Sequence, residues 1–258
     1  MPFVFATIVP HSPLTVPGIS DDKKNQVAAT IQALKEIEGE LYVMQPDTLF
    51  VISPHAPISE EAFSVHISTK FIGNFQEFGD QNTKLEYQCD VEMVSKIREY
   101  ADSHKGVPVN TLDQNEMDYG TSVALYHLTQ HSPNVKIVPI SVSLLGSDDH
   151  FAFGKLLRHV ASRSNKRIAI VASAELSHAL EPDGKTFDLK VQEMIYDRKL
   201  TEILKLNPDL IENAQVVNGY KALTILFGAI ADVGPEPHIL SYESPFGVGM
   251  MVAQFDIV

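Results

Sequence analysis

Apolar residues recur along this chain with two alternating periods. Short continuous runs rich in Val, Ile and Phe occupy Phe3–Val9, Thr48–Ser53, Phe63–Ser68, Lys136–Val142, Arg167–Ala172, His238–Tyr242 and Val248–Ile257. Between them lie stretches where apolar residues return every third or fourth position: Asp21–Glu40, Val91–His104, Thr121–Gln130, Asp148–Ser162, Phe187–Lys205 and Asn218–Asp232. Runs of the first kind predict buried strands, and the second kind predict amphipathic helices. Their alternation predicts an α/β fold: a single domain over residues 1–258, with a central, largely parallel or mixed sheet covered by helices on both faces. Ser147, followed by Asp148 and Asp149, reads as a helix N-cap with an acidic first turn, and Gly234-Pro235 reads as a helix stop. Phe71–Lys84 has no clear period and is expected to be a loop or irregular hairpin able to cover a pocket.

Two proline-bracketed histidines stand where strands are expected to end. Pro10-His11-Ser12-Pro13 follows the first run and Pro54-His55-Ala56-Pro57 follows the second. Proline fixes its own φ and forces the preceding residue into extended geometry, so each imidazole sits on a stiffened loop. A rigid loop loses little entropy when an ion binds, and imidazole is the commonest neutral metal ligand. Taken singly, each motif is an ordinary strand-ending turn; as a pair they point to a metal site. In open α/β sheets ligands collect beyond the carboxyl ends of strands. The strand running into Ser173-Ala174-Glu175-Leu176-Ser177-His178 and the strand ending at Ser241-Tyr242-Glu243-Ser244-Pro245 bring further candidates to that edge. Two His and one carboxylate make a site for iron(II) with open positions. Spacing alone ranks Glu243, Glu175 and Asp118 nearly equal; Glu243 is preferred because it leaves its strand at a Ser-Pro turn on the same edge. His178 is the candidate acid/base. Asp118-Tyr119-Gly120 precedes a helix, where it reads either as a cap and turn or as a ligand-contacting loop.

Bulk properties narrow the field. With 44% hydrophobic and 21% charged residues the chain has a globular composition, and no linker, repeat or charge block divides it. Twenty basic against thirty-three acidic residues give a formal charge of −13, which argues against nucleic acid and anionic membranes as partners. The single cysteine, Cys89, has no intrachain partner, and no signal-like or membrane-length segment is present, so a cytoplasmic protein is expected. There is no phosphate-binding P-loop, serine-hydrolase elbow or dinucleotide fingerprint. Gly247-Val248-Gly249 opens a strand instead of a helix. His127 and His131 have the i,i+4 spacing that can chelate a metal on one helix face, but lack the adjacent Glu of a zinc-protease motif. His66, His104, His150, His159 and His238 read as packing or surface residues.

The order of Pro-His-Ser-Pro, Ser-Pro-His-Ala, Asp-Tyr-Gly-Thr, Leu-Ser-His and Tyr-Glu-Ser-Pro-Phe-Gly-Val-Gly resembles the class III extradiol dioxygenase superfamily, the LigB-like group that also contains Memo-like proteins. The resemblance runs from His11 to Gly249. It implies iron(II) held by His11, His55 and Glu243, with zinc or manganese as alternative metals. It further implies His178 and Tyr119 as catalytic groups, with Asp118 and Gly120 beside a catechol-like or aminophenol-like substrate and dioxygen. It also implies a homodimer or a complex with a small second subunit. Many ring-cleaving members carry His where this chain has Tyr119. Memo-like proteins of animals place a Cys in the C-terminal segment, where this chain has Glu243. Two other functions share such a site: a Memo-like metal- or peptide-binding protein without ring cleavage, and a zinc hydrolase.

Overall fold

In the computed structural model, which describes residues 3–19, 21–104, 106–179 and 182–257, ten strands are distributed over two sheets. They are β1 (Phe5–Val9), β2 (Thr48–Ser53), β3 (Phe63–Ile67), β4 (Lys70–Phe75), β5 (Asp80–Gln88), β6 (Val109–Asp113), β7 (Lys136–Ser141), β8 (Ile168–Ser173), β9 (Glu236–Glu243) and β10 (Met250–Asp256). Eight of them form one mixed sheet in the order β6-β3-β7-β2-β8-β1-β10-β9, and β4 and β5 form a separate hairpin. The centre of the sheet, β7-β2-β8-β1, is parallel, while β10 runs antiparallel to β1 and to β9, and β3 runs antiparallel to β7.

The α-helices are α1 (Ala28–Met44), α2 (Val91–His104), α3 (Tyr119–Leu128), α4 (Ser147–Ser162), α5 (Asp183–Tyr196), α6 (Pro208–Asn213) and α7 (Val217–Ile230). α1 packs on α3; α2, α4 and α7 form a second group; and α3 and α7 both lie on β2 and β8. With helices on both faces, every side chain of β1, β2 and β8 is buried, which is why these strands read as continuous apolar runs without alternation.

The helix expected over Asp21–Glu40 begins as 3-10 turns at Asp21–Val27 and becomes α-helical only at Ala28. The helix expected over Phe187–Lys205 breaks at Arg198, which has a positive φ, and resumes as a 3-10 segment from Leu200 to Lys205. The cap of α4 lies one residue earlier than expected: Gly146 N–H donates to the Asp149 carboxylate at 3.1 Å. Phe71–Lys84 contains an irregular hairpin, with a 3-10 turn at Gln76–Phe78 between β4 and β5 and a register shift at Asn74/Phe75. β6 carries no continuous apolar run because it is a half-exposed edge strand.

Candidate metal centre

β8 is flanked in the sheet by β2 and β1, all three parallel, so their carboxyl ends open side by side. His55 follows β2, His11 follows β1, and Glu175 and His178 follow β8. The segment after β8 is fixed by main-chain bonds: Ala174 N to Val9 O (2.9 Å), Leu176 N to Gly249 O (2.7 Å), Gly249 N to Ser177 O (2.8 Å) and His178 N to Ala214 O (2.9 Å). Asp188, buried on α5, adds side-chain support. It accepts from Ser177 N at 2.8 Å, from Ser177 Oγ at 3.0 Å and from Tyr242 Oη at 2.6 Å.

These loops assemble a continuous polar chain. Tyr119 Oη lies 2.8 Å from His55 Nε2, His55 Nε2 lies 2.8 Å from His11 Nε2, His11 Nε2 lies 3.6 Å from Glu175 Oε2, and Glu175 Oε2 lies 3.1 Å from His178 Nε2. The tautomer of His11 follows from its neighbour. The Ser173 hydroxyl donates to Gly120 O at 2.7 Å, so at 3.2 Å from His11 Nδ1 its oxygen accepts from Nδ1–H. His11 Nε2 is then left with a bare lone pair, as a metal ligand requires.

The electrostatics suit the same use. Burial, reinforced by His11, holds the His55 imidazole down at about 4, so it is neutral at physiological pH. Burial pushes the Glu175 carboxyl up, but His11, His178 and His55 outweigh it and the net direction is down. The bond to Glu175 raises His178 against the opposing effect of burial. Burial, then Glu175 and Asp118, raise Tyr119, which stays a phenol.

Asp118 caps α3 by accepting from Thr121 N at 2.9 Å, and its Oδ1 also accepts from Ser53 Oγ at 2.5 Å, tying α3 to the end of β2. Gly120 is required by close approach: a Cβ there would lie 2.6 Å from Ser53 Oγ and 3.1 Å from His55 Cδ2. Asp118 and Gly120 therefore shape the wall that carries His55. Phe78, from the turn of the β4–β5 hairpin, packs edge-on against Tyr119 with ring centroids 5.4 Å apart. A cleft of about 360 Å³ opens in front of the histidines, and Gln215–Gly219 at the start of α7 line its other side.

Glu243 does not join this assembly. Its carboxylate accepts from Ala29 N at 3.3 Å, Thr30 N at 2.8 Å and Thr30 Oγ1 at 2.6 Å. It thus satisfies the first-turn amides of α1, whose own N-cap residue, Val27, makes no side-chain bond. β9 is the outermost strand, two places from β1, whereas β8 lies between β1 and β2. The carboxylate that meets the histidines is therefore Glu175. The His127/His131 pair also separates: His127 turns to Thr15, and His131 lies beyond the end of α3 against Glu38. Phe78 lies in the segment expected to cover a pocket, whereas Ser173 and Gln215–Gly219 are not distinguished in the sequence, since a serine ending a strand and a loop between helices are common features.

Two imidazoles and a carboxylate match the donor set of a two-His, one-carboxylate iron(II) site, and also that of catalytic zinc. Among the described residues no three His, Cys, Asp or Glu side chains stand ready-spread around one point. The two Nε2 atoms share a proton instead. With His11 Nε2 bare, His55 must supply that proton, because two bare nitrogens 2.8 Å apart would repel. A metal ion held by both Nε2 atoms would require His55 to carry its proton on Nδ1 instead, so the residues fit the group in donor chemistry, and His11 fits it in tautomer as it stands.

Comparison with known proteins gives a consistent result. Residues 5–253 match the model of the family described as the catalytic LigB subunit of aromatic ring-opening dioxygenase. Protein CA_C1420 of Clostridium acetobutylicum is 24% identical over 96% of this chain, which spans only 56% of that relative's length. The 2-aminophenol 1,6-dioxygenase beta subunit of a Pseudomonas species is 22% identical over 97% of this chain and 93% of its own. The crystal structure of the uncharacterized Escherichia coli K12 protein JW3007 superposes with a TM-score of 0.70, covering 97% of this chain and 99% of that one at 16% identity.

Proposed function

The chain belongs to the family of catalytic LigB subunits of aromatic ring-opening dioxygenases, and on that premise we propose that it is a non-haem iron(II)-dependent extradiol dioxygenase cleaving a catechol-like or aminophenol-like ring. The observation that carries this reading is the convergence of His11 Nε2, His55 Nε2 and the Glu175 carboxylate at the ends of three adjacent parallel strands, with His178 in contact. The 2-aminophenol 1,6-dioxygenase relative supports the substrate class. Its name, a beta subunit, also supports assembly with a second subunit.

His11, His55 and Glu175 would hold the metal; iron(II) is assigned over zinc or manganese on the family's ring-opening chemistry. When bound, iron(II) brings diol and dioxygen together and passes electron density between them. The protein supplies position and proton control. His178, its side chain 40% exposed toward the cleft, is held by the bond from its Nε2–H to Glu175, so that its other ring nitrogen keeps a lone pair to take a proton from a substrate hydroxyl and return it later. Tyr119 stays protonated and would donate its hydrogen bond to an oxygen of the bound substrate, where a histidine could also act as a base. Pro54, Val216 and Val217 provide apolar walls that exclude water from the ring.

Anaerobic purification, iron(II) reconstitution and oxygen uptake with a panel of catechols and 2-aminophenols test the proposal. The holoenzyme should consume oxygen and form a ring-opened chromophore. His178→Ala should retain iron while losing turnover by roughly 10²–10⁴-fold. If no member of the panel drives oxygen uptake by the iron-loaded protein, the dioxygenase reading fails. A metal-binding protein without ring cleavage would then be favoured by the Tyr119 hydroxyl seated on His55.

A further inference from the structure

A second groove, of about 700 Å³, lies between α1 and α3 beside the segment that follows His11, and it shares no lining residue with the cleft of the metal centre. Its walls carry Pro17, Ile31, Lys35, Glu38, Tyr126 and His127, with Lys24 at its edge. His127 Nε2 lies 2.9 Å from Thr15 Oγ1, and the Thr15 hydroxyl donates to Ser12 O at 2.8 Å. With its proton committed to Ser12, the Thr15 oxygen accepts from His127 Nε2–H, which places the lone pair of this imidazole on Nδ1. No hydrogen bond reaches Nδ1 among the described residues. Burial, and then the charge of Lys35, hold His127 at about 4, so the ring is neutral and Nδ1 stays an acceptor.

Lys35 has no carboxylate within 4 Å among the described residues, although the chain carries thirteen more acidic than basic residues. The neighbouring Glu38 is already committed, accepting from His131 N at 3.0 Å and from His131 Nδ1 at 2.9 Å. The groove therefore offers the Lys35 ammonium group, with that of Lys24 also in its lining, a hydrogen-bond acceptor on His127 and the aliphatic and aromatic surfaces of Ile31, Pro17 and Tyr126. The charge of Glu38 disfavours a multiply charged anion such as a phosphate dianion.

We propose that this groove is a second ligand site, for a small aromatic hydroxycarboxylate whose carboxylate pairs with Lys35, whose hydroxyl donates to His127 Nδ1 and whose ring lies against Ile31 and Pro17. Charge-assisted and neutral hydrogen bonds at opposite ends of a flat ring fix its orientation, and the apolar wall between them supplies the remaining affinity. The ligand also lies close to the metal-centre loop, because Thr15 N and Oγ1 both bond to Ser12 O, next to His11.

The test is titration of the full chain with para-hydroxybenzoate, followed by calorimetry and by amide and imidazole ¹⁵N spectra. Saturable binding is expected, with shifts at Thr15, Lys35 and His127 and a distinct change at His127 Nδ1. Lys35→Glu, at an exposed position that leaves the fold intact, should weaken binding by about tenfold or more, and benzoate, lacking the hydroxyl, should bind the native chain about tenfold more weakly. His55→Ala should leave the affinity unchanged. Absence of saturable binding, equal affinity in Lys35→Glu, or shifts confined to His11, His55 and His178 with loss of binding in His55→Ala would each overturn the proposal.

Discussion

At the scale of single residues, what separates the candidate metal ligand Glu175 from the structural carboxylate Glu243 is the number of hydrogen-bond donors that already hold each. Glu243 accepts from three donors at the start of α1, whereas Glu175 faces two imidazoles and nothing else polar that is described. The two should respond oppositely to removal of charge. Glu175→Gln is expected to lower iron(II) affinity by more than the ~10–100-fold that loss of a supporting partner costs, with little change in melting temperature. Glu243→Gln is expected to leave metal affinity intact and to cost about 1 kcal/mol of stability, as the loss of a helix cap does. Metal stoichiometry and thermal melting on the same preparations decide it, and loss of metal by the Glu243 variant alone would restore that residue as the ligand. The side chains that fix tautomers, Ser173 for His11 and Thr15 for His127, are ordinary serine and threonine in the sequence. Only their second hydrogen bonds, to Gly120 O and Ser12 O, show what they do.

At the scale of elements, α4 and α7 cross at touching distance because each presents a glycine to the other. A Cβ on Gly154 would collide with the backbone of Ile225 and Ala229, and one on Gly228 with the backbone of Phe151. Backbone atoms cannot swing aside as a side-chain tip can. Gly228→Ala is therefore expected to destabilise by about 3 kcal/mol or more, read as a fall in Tm of roughly 6 °C or more. Gly39→Ala, where the added methyl meets nothing within 4 Å, is the control and should be neutral or stabilising. An unchanged Tm in Gly228→Ala would mean that the helices can separate at low cost. The crossing also bears on the candidate site, since α7 begins with residues lining the cleft in front of His11 and His55. The periodic pattern located both helices but not their separation, because helical periodicity identifies the face that is buried and carries no distance. For the same reason α3 was legible as a helix while the downward turn of His127 into a groove was not.

At the scale of the whole molecule, the buried histidines couple stability to pH. His150 is fully buried. Its Nδ1–H donates to Gly146 O at 2.8 Å and its Nε2 accepts from Ser143 N at 3.3 Å, so the neutral ring satisfies both neighbours and a second proton has no acceptor. Burial lowers its pKa from 6.5 to about 4. Between those values the unfolded chain binds the proton and the folded chain does not, so stability is complete above about pH 6.5 and declines as pH falls toward 4. The loss reaches roughly 3 kcal/mol. Urea denaturation at a series of pH values should show this slope, reduced by that amount in His150→Gln, and an identical slope in the variant would count against the assignment. The apolar runs, the helical periods and the proline-bracketed histidines had determined the α/β class, the alternation of elements and the strand ends at which His11 and His55 meet, because burial on both faces and strand-end loops leave a direct imprint on residue order. Sequence also held the family resemblance, which the match over residues 5–253 bears out. Strand order was decided only in three dimensions. Pairing β8 between β1 and β2 sets Glu175 beside His11 and leaves β9 at the sheet edge with Glu243 on α1, an outcome of long-range hydrogen bonding that no local pattern encodes.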